Sequence, residues 1–390
     1  MNTNPVWDDS QLQKALSCGE DTPYYFFDAD IFKHNIIELK RLLPETVKIC
    51  YAMKSNTWLA EHAYGTADYI EICSAGELFI ARRMGIPDNV IVADGVCRTR
   101  TELKNLAESS LHRIVLESVR QAEIFSSYAQ EAGQVKDVLL RISSGNQFGM
   151  SRQDIEYIVS RQNKEFSTLK IRGLHAYFGT QKKNRNEIKK NFSLLKDIAD
   201  SLNLKEIEFG PGLGVVQSPA HDKNIYSGCL EEVCEGFRNL AENHEVIIEC
   251  GRILCANAGV YVTSVIERKI TGGKTFIITD GGNNHLVYDG QPYGFPVPFV
   301  VSEHADRSKT ETVTICGALC TQADILARDI TLHSIEEGSR LVFMSAGAYG
   351  VTEGYSLFLS RPLPAVVCGS SVLRTHSETW QLNSKGGSNS

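Results

Sequence analysis

Short apolar runs rich in β-branched residues alternate with longer amphipathic stretches over the first two-thirds of the chain. The runs predicted as strands are 47–52, 69–73, 90–93, 113–116, 138–142, 171–178, 206–209 and 246–250. Most of the stretches between them have the apolar spacing of helices. Eight strand–helix units over about 220 residues favour a closed (β/α)8 barrel, with a doubly wound sheet as the alternative.

The pattern changes near residue 258, where strands follow one another without long helices. The later runs predicted as strands are 260–267, 275–279, 312–316, 340–343 and 363–368. They indicate an all-β second domain, and an early strand at 24–27 is expected to join its sheet. The expected organisation is a 1–27 segment joining the β domain, a 28–255 barrel, a 256–380 β-sandwich or barrel, and a flexible 381–390 tail.

The tail is rich in Gly and Ser, which is typical of a flexible linker. It is expected to be either a frayed terminus or a linker to a fused or partner domain after residue 385.

Composition narrows the class of protein. The 390 residues include 40 Lys+Arg and 47 Asp+Glu, a net charge of −7, and 42% are hydrophobic. The apolar content excludes a disordered chain, and the acidic balance argues against a nucleic-acid polymer or an anionic membrane as partner. The eleven cysteines cannot all pair within one chain, and none forms a C-x-x-C pair. We therefore expect a reducing cytoplasm, no metal site and mostly buried thiols.

Candidate chemistry lies just after the predicted barrel strands, where barrels place their active sites. These positions carry Lys54, His175, a glycine-rich turn at 210–214, Glu249 and Arg252. Each alone has an ordinary explanation: a surface lysine, a core histidine, a simple turn or solvated charges at the rim. Together they match the needs of pyridoxal phosphate, namely an amine, a flat group against the ring, an anion cradle and an acid at the ring nitrogen.

The chain resembles the group IV pyridoxal-phosphate decarboxylases, the ornithine/diaminopimelate/arginine decarboxylase family, from about residue 22 to residue 362. The motifs that carry the resemblance are YAMKSN at 51–56, CSAGEL at 73–78, HAYFGTQ at 175–181, GPGLG at 210–214, ECGR at 249–252, CGALC at 316–320 and SAGAYG at 345–350. The resemblance implies an alanine-racemase-like barrel with a C-terminal β domain, pyridoxal phosphate as cofactor, and a head-to-tail homodimer with shared active sites.

The resemblance also implies a set of cofactor contacts. They are Lys54 as the Schiff-base lysine, Glu71 near the cofactor, His175 on the ring face, Glu249 at the ring nitrogen, and Thr180, Gly212, Gly214, Arg252 and Tyr349 at the phosphate. Cys320 matches the catalytic cysteine that one protomer donates to its partner. Without the resemblance, a buried thiol in a strand is the preferred interpretation of Cys320.

Glu249 favours decarboxylation over racemisation. A carboxylate keeps the ring nitrogen protonated, so the ring withdraws electrons strongly, whereas the racemases on this barrel typically have an arginine there. The predicted course is loss of the substrate α-carboxylate and reprotonation of its α-carbon by Cys320 or Lys54.

The substrate region departs from the family pattern. The family usually has an acidic residue directly after the catalytic cysteine, but here Thr321 follows. A buried cationic amine would lack its partner, so ornithine, lysine and diaminopimelate are disfavoured. Thr321, Asp280 and Asp324 are the candidate substrate contacts, with a simple turn role as the alternative for Asp280.

The Cys-Thr-x-x-Asp pattern and the segment 280–285 resemble a specialised branch that decarboxylates an amino-acid head on a larger conjugate. Its members act in siderophore synthesis, on carrier-protein-bound groups in antibiotic synthesis, or in microcin C-type maturation. The alternatives are an ordinary diaminopimelate or ornithine decarboxylase, a racemase and a non-catalytic regulatory homologue.

Overall fold

A computed structural model describes residues 7–288, 297–303 and 306–384. Contacts divide these residues into two compact units. The first contains Lys33–Gly214 and Lys223–Ile253, and the second contains 7–32, Val215–Asp222 and the described residues from Leu254 onward. Residues 1–6 of the expected N-terminal segment and 385–390 of the expected tail lie outside the described residues.

The strands are numbered along the chain. They are β1 (Tyr24–Phe27), β2 (Lys48–Ala52), β3 (Tyr69–Ile72), β4 (Ile91–Ala93), β5 (Arg113–Leu116), β6 (Lys136–Arg141), β7 (Leu169–Tyr177), β8 (Glu206–Gly210), β9 (Glu245–Cys250), β10 (Gly259–Thr271), β11 (Lys274–Thr279), β12 (Val300–Ser302), β13 (Asp306–Cys316), β14 (Ile325–Ser334), β15 (Arg340–Phe343), β16 (Ala365–Cys368) and β17 (Ser371–Arg374).

The helices are numbered in the same way. They are α1 (Asp9–Leu16), α2 (Ala29–Leu42), α3 (Ala60–Ala63), α4 (Ala75–Arg83), α5 (Arg100–Glu108), α6 (Val119–Glu131), α7 (Arg152–Ser160), α8 (Arg185–Ser201), α9 (Lys223–Ala241), α10 (Arg252–Cys255) and α11 (Gly350–Glu353). None of the helices described is both long enough and apolar enough to span a membrane.

Strands β2 to β9 form a closed parallel barrel, which confirms the predicted fold. The barrel closes where β9 pairs with β2. Alternate residues of the strands face inward, and a buried interior cluster consists of Cys50, Val92, Val115, Leu139 and Ile247. This packed layer supports the carboxyl ends of the strands, where the candidate residues lie.

Polar residues at strand ends start several of the barrel helices. The Ser74 hydroxyl accepts a hydrogen bond from the Glu77 backbone N–H at the start of α4. Thr99 forms a capping box with Glu102 at the start of α5. Such caps satisfy N–H groups that have no partner inside the helix, so they fix where each helix begins relative to the barrel rim.

The second unit is built on a nine-stranded sheet with the order β14-β13-β11-β10-β1-β16-β17, with β15 pairing with β10 and β12. The early strand β1 is central in it, since it pairs antiparallel with β10 and parallel with β16. Its inward side chains Tyr24 and Phe26 join a buried core with Val260, Val342 and Val367.

The structure moves some of the expected boundaries. The barrel unit was expected at 28–255, but it begins at Lys33, ends at Ile253 and excludes Val215–Asp222. Strands β12, β14 and β17 were not predicted. They are edge strands. The apolar pattern of β14 and β17 is weak because many of their positions are exposed, and β12 is only three residues long.

Candidate active site

Lys54 lies at the carboxyl end of β2, on a one-turn 3₁₀ helix, Met53–Ser55. Its Nζ atom lies 3.1 Å from both carboxylate oxygens of Glu71 and 2.9 Å from Oε1 of Glu249. Both carboxylates are buried, with 0% and 2% of their side-chain surface exposed, whereas the Lys54 side chain is 28% exposed. The amine therefore lies at the edge of the barrel interior, held between two acids.

The two acids respond differently to burial. Burial disfavours the charge on Glu249, but the Lys54 ammonium and the His175 hydrogen bond outweigh it and lower the pKa of Glu249. Burial, followed by repulsion from Glu249, raises the pKa of Glu71 well above its ordinary value. The surroundings therefore favour the charged form of Glu249 more strongly than that of Glu71.

His175 lies near the end of β7 with no exposed surface. Its Nε2 atom lies 3.2 Å from Oε2 of Glu249, and its Nδ1 atom has no partner among the described residues. Tyr177, two residues further, points to the same side of the strand, and Lys54 Nζ lies 5.3 Å from its ring centre. Tyr177 was missed from the sequence, although its spacing from His175 was a usable signal.

The turn after β8 approaches the loop after β7 too closely for side chains. Gly212 has φ +64°, and a Cβ atom there would lie 1.8 Å from the carbonyl oxygen of Gly179, next to Thr180. The Gly212 carbonyl oxygen accepts a hydrogen bond from the Lys182 backbone N–H at 3.0 Å. At Gly214, a Cβ atom would lie 2.3 Å from the Tyr226 ring. The two loops therefore form a backbone-lined cradle of the type that binds phosphate.

Arg252 is the first residue of α10, directly beyond the end of β9. Its side chain is buried. Burial raises the pKa of the Tyr177 phenol, and the positive charges of Lys54 and Arg252 offset part of that rise. The close packing of Gly251 against Ser55, where a Cβ atom would lie 2.7 Å away, brings this end of β9 against the turn that carries Lys54.

A second buried ion network was not predicted. Nη1 of Arg141 lies 3.0 Å from Oδ2 of Asp94 and 2.6 Å from Oε1 of Glu117, at the ends of three neighbouring strands. The Cys73 thiol donates to Oε1 of Glu71 at 3.1 Å. The sequence could have indicated this network, because charged residues occur at the ends of apolar strands and charged residues are seldom buried without a partner.

Glu71, Cys73 and Asp94 place their ligand atoms within 4.8 Å of one another. The cations of Lys54 and Arg141 already face the two carboxylates, so we assign no metal to this cluster.

The remaining predicted residues belong to the second unit. Cys320 is exposed in the turn between β13 and β14, and Thr321 follows it. Tyr349 precedes α11 with φ 64°, a left-handed conformation that is rare for a tyrosine.

The two acids predicted to contact substrate accept hydrogen bonds from other residues of the second unit. Asp324 is 2% exposed, and its two oxygens accept backbone N–H bonds from Asn283 and Leu319, each at 2.7 Å. Oδ1 of Asp280 accepts from the Thr263 hydroxyl at 2.5 Å and from the Ser264 backbone N–H at 3.0 Å. Its Oδ2 atom accepts from the Thr22 hydroxyl at 2.5 Å.

Residues 25–347 match the model of the family described as pyridoxal-dependent decarboxylase, C-terminal sheet domain. The chain is 27% identical to an L-glutamyl-[BtrI acyl-carrier protein] decarboxylase of Niallia circulans, over 90% of this chain and 89% of that protein. It is 28% identical to a diaminopimelate decarboxylase of Aquifex aeolicus, over 86% of this chain and 84% of that protein.

A third relative, 25% identical over 93% of this chain and 96% of its own, is the 2-[(L-alanin-3-ylcarbamoyl)methyl]-2-hydroxybutanedioate decarboxylase of Staphylococcus aureus. Among solved structures, diaminopimelate decarboxylase from Helicobacter pylori complexed with L-lysine superposes with a TM-score of 0.85 at 22% identity, covering 95% of this chain and 99% of that chain. The structural likeness shows the fold.

Proposed function

The chain belongs to the pyridoxal-dependent decarboxylase family, and from that premise we propose that it removes the α-carboxylate of an amino-acid head group carried on a larger conjugate. As a member of this family it is a carboxy-lyase of the ornithine/diaminopimelate type whose cofactor is pyridoxal phosphate. The conjugate, its place in siderophore or antibiotic synthesis and the roles of individual residues are parts of the proposal.

The observation that carries the proposal is that Asp280 and Asp324 already accept hydrogen bonds from groups of the second unit. A decarboxylase of ornithine or diaminopimelate must accommodate a second, cationic amine, and a buried ammonium needs an anionic partner. All four carboxylate oxygens of these two acids already accept hydrogen bonds from groups of their own unit. A substrate whose distal nitrogen is acylated carries no such charge and needs no such partner.

The names of the relatives support the same substrate class. One relative acts on a glutamyl group on an acyl-carrier protein, and another acts on an alanin-3-yl group joined through a carbamoyl link. In both, the amino-acid head is attached to something larger. Diaminopimelate decarboxylases are also similar, so an ordinary basic-amino-acid decarboxylase is the main alternative.

The residues present fit the cofactor. The fit rests on a partly exposed amine between two buried acids and on a glycine turn that packs too closely on the neighbouring loop for Cβ atoms. We assign the cofactor's aldehyde carbon to Lys54 and its ring nitrogen to Glu249. When bound, pyridoxal phosphate takes up the electron pair that remains as carbon dioxide leaves. The low pKa of Glu249 keeps that residue a carboxylate, able to accept a proton-bearing nitrogen.

The other assigned roles concern contacts. His175 covers one face of the ring, and Glu71 holds the Lys54 amine when it is free. The groups assigned to the phosphate are Thr180, Gly212, Gly214, Arg252 and Tyr349. Cys320 is assigned as a proton donor to the substrate α-carbon, supplied by the second protomer of a head-to-tail dimer, with Lys54 as the alternative donor.

The proposal is tested by mass spectrometry on a panel of candidate substrates. The panel contains citryl-diaminopropionate, an L-glutamyl thioester of N-acetylcysteamine, an aminocarboxypropyl nucleotide, meso-diaminopimelate and L-ornithine. We expect one conjugate to lose the mass of carbon dioxide with a kcat/KM at least tenfold above that of the free amino acids. A kcat/KM that is higher on diaminopimelate or ornithine than on every conjugate would overturn the proposal. Exchange of the α-proton in deuterium oxide without release of carbon dioxide would also overturn it.

Two lysine variants provide matched controls. Lys54→Ala should abolish turnover and the visible absorbance band of the lysine-bound cofactor. Lys48→Ala, an exposed position at the other end of the same strand, should keep both. Turnover that persists in Lys54→Ala contradicts the assignment of Lys54, and the absence of both cofactor binding and turnover in the unmodified protein favours a non-catalytic regulator.

A further inference from the structure

A cavity of about 300 Å³ lies in the barrel unit, lined by residues of α4 and α5 and of the strands before them. This is at the small end of the range of pockets that bind small molecules, roughly 300–1,000 Å³. Cys73 and Asp94 line it, and their ligand atoms lie within 4.8 Å of those of Glu71, which holds the Lys54 amine. One end of the cavity therefore begins at the residues around the reaction centre.

The walls of the cavity are mainly apolar. The side chains that form them include Ile72, Leu78, Phe79 and Leu106. Phe79 is 62% exposed, unusual for an aromatic residue on a helix that packs on a barrel. An occupant with an apolar chain would cover this ring and gain the free energy of removing both surfaces from water.

Arg98 is a cation that lines the cavity and has no carboxylate in contact among the described residues. A guanidinium has five N–H donors. In the part of the chain that the structure describes, Arg98 donates only to the backbone oxygens of Val115, at 3.0 Å, and Ala93, at 2.7 Å, and it pairs with no carboxylate. Burial lowers the pKa of the Arg98 guanidinium, and the nearby charges of Asp94 and Glu117 offset part of that effect.

The other charged groups that line the cavity have partners. Arg82 binds both oxygens of Asp88, at 2.9 and 2.8 Å. Glu102 accepts from the backbone N–H of Thr99 at 2.7 Å. Among the described cations that line the cavity, Arg98 is therefore the one without a carboxylate in contact, and an anionic group would complement it.

Asp94 offers a second polar contact. Its Oδ2 atom pairs with Arg141, while Oδ1 has no partner among the described residues, although the residue is only 4% exposed. A buried acceptor without a donor is costly, so a ligand N–H at this point would be stabilised. An amide N–H close to the amino-acid head would supply such a donor.

We propose that this cavity is the subsite for the arm of the conjugated substrate, an acyl arm whose amide N–H meets Asp94 and whose carboxylate or phosphate pairs with Arg98. The inference rests on the proposed function and specifies its substrate class. The distal ammonium of ornithine or lysine would instead meet the Arg98 cation, so the same cavity disfavours free basic amino acids.

Alkylation of Cys97 can report whether the cavity is occupied, because its exposed thiol lines the cavity. The test measures the rate of Cys97 alkylation by iodoacetamide in the holoenzyme, by peptide mass spectrometry, with Cys18 of the other unit as internal reference. Citrate represents a carboxylate arm, 4′-phosphopantetheine a phosphate arm and cadaverine a cationic one. We expect citrate or 4′-phosphopantetheine to slow alkylation at least fivefold, and cadaverine to leave it unchanged.

The probe that protects Cys97 identifies the source of the anion. Protection by neither anion, or equal protection by cadaverine, overturns the inference. It is also overturned if Cys97 is unreactive in the holoenzyme alone and becomes reactive on dilution, because a second copy of the chain would then cover the cavity.

Variants test the contacts without relying on one substitution. Arg98→Gln should raise the concentration of anion needed for half-protection about tenfold, whereas Arg120→Gln, an exposed arginine on α6, should not change it. If Arg98→Gln fails to fold, Asn105→Trp fills the cavity from an exposed position and should abolish protection, while Asn105→Ala should preserve it. Unchanged protection in Asn105→Trp contradicts the inference.

The measurement separates the two proposals, since alkylation needs no turnover. Decarboxylation of a conjugate without any protection of Cys97 keeps the proposed function and overturns the subsite. Protection by an anion without decarboxylation of any conjugate keeps the anion site and overturns the proposed function.

Discussion

The Nζ atom of Lys54 lies 2.9 Å from Oε1 of Glu249, although the two residues are 195 positions apart in the chain. They meet because the first and last strands of the barrel pair with each other, with Cys50 opposite Glu249 in register. The ion pair lies in a buried site, where charges interact more strongly than in water. Closure of the barrel therefore assembles the amine and the acid.

Replacing the charge on Glu249 should slow the chemical step. Glu249→Gln preserves the shape of the side chain but removes the anion that faces Lys54 and His175. We expect kcat to fall on the order of a hundredfold, with a much smaller change in KM, since a fixed charge acts mainly on the transition state. The matched control is Glu245→Gln, an exposed position on the same strand. Steady-state kinetics that show equal kcat for the two variants would refute a role for the charge.

The glycine cradle gives a prediction about cofactor affinity. Gly212→Ala places a Cβ atom 1.8 Å from a backbone oxygen, so the loop must move. Gly133 has nearly the same φ, +63°, but open space around it, so Gly133→Ala isolates the backbone strain, about 1–2 kcal/mol. Absorbance titration with pyridoxal phosphate should show at least tenfold weaker binding for Gly212→Ala and unchanged binding for Gly133→Ala. Equal affinities would place the phosphate elsewhere.

Asp324 should stabilise the turn that carries Cys320. Asp324→Asn replaces one acceptor by an NH2 group that faces a backbone N–H, which leaves a buried donor without a partner. We expect unfolding in urea to require about 1–3 kcal/mol less free energy, while Glu336→Gln, an exposed control, changes little. If Asp324 instead binds the substrate, stability will be unchanged and KM will rise.

The shared active sites of the proposed dimer predict complementation. Lys54→Ala and Cys320→Ala are each expected to be inactive. When the two are mixed, dissociated and reassociated, half of the dimers are mixed and each has one intact site, so about a quarter of the activity should return. Lys54→Ala mixed with Glu249→Gln should recover nothing, since both changes lie in the barrel unit. No recovery in the first mixture would argue against an active site shared between protomers.

His285 should make the protein less stable as the pH falls. Burial lowers the pKa of His285 from 6.5 to about 4. The folded state therefore favours the neutral ring, so the stabilisation is complete above pH 6.5 and is lost between pH 6.5 and pH 4. The loss is about 3 kcal/mol at 1.36 kcal/mol per unit. Urea unfolding across this range should show a smaller loss for His285→Gln than for His34→Gln, an exposed control. Identical slopes would contradict the prediction.

The barrel was predictable because its signal is local. Eight apolar runs separated by amphipathic helices identify the strands, and the position of Lys54 just after the first run identifies a rim residue. The strands β12, β14 and β17 of the second unit were missed, because β12 has only three residues and exposed positions weaken the apolar pattern of β14 and β17.

The sequence likewise predicted which types of residue form the candidate site, but it did not predict which of them contact one another. Tyr177 and Arg141 lie at the carboxyl ends of apolar strands, as His175 does, but their approach to Lys54 and Glu117 depends on the packing of neighbouring strands. Asp324 was predicted as a substrate contact, whereas in the structure its oxygens accept two backbone N–H groups.

The barrel and the chemical groups at its rim follow from the sequence, because periodicity and turn residues act over a few positions. Tertiary packing places Lys54 between Glu71 and Glu249, gives Asp280 and Asp324 their hydrogen-bond partners, and leaves Arg98 in a cavity without a carboxylate in contact among the described residues. These are distances between distant parts of the chain. They depend on barrel closure, strand register and competition for hydrogen bonds, which no local pattern encodes.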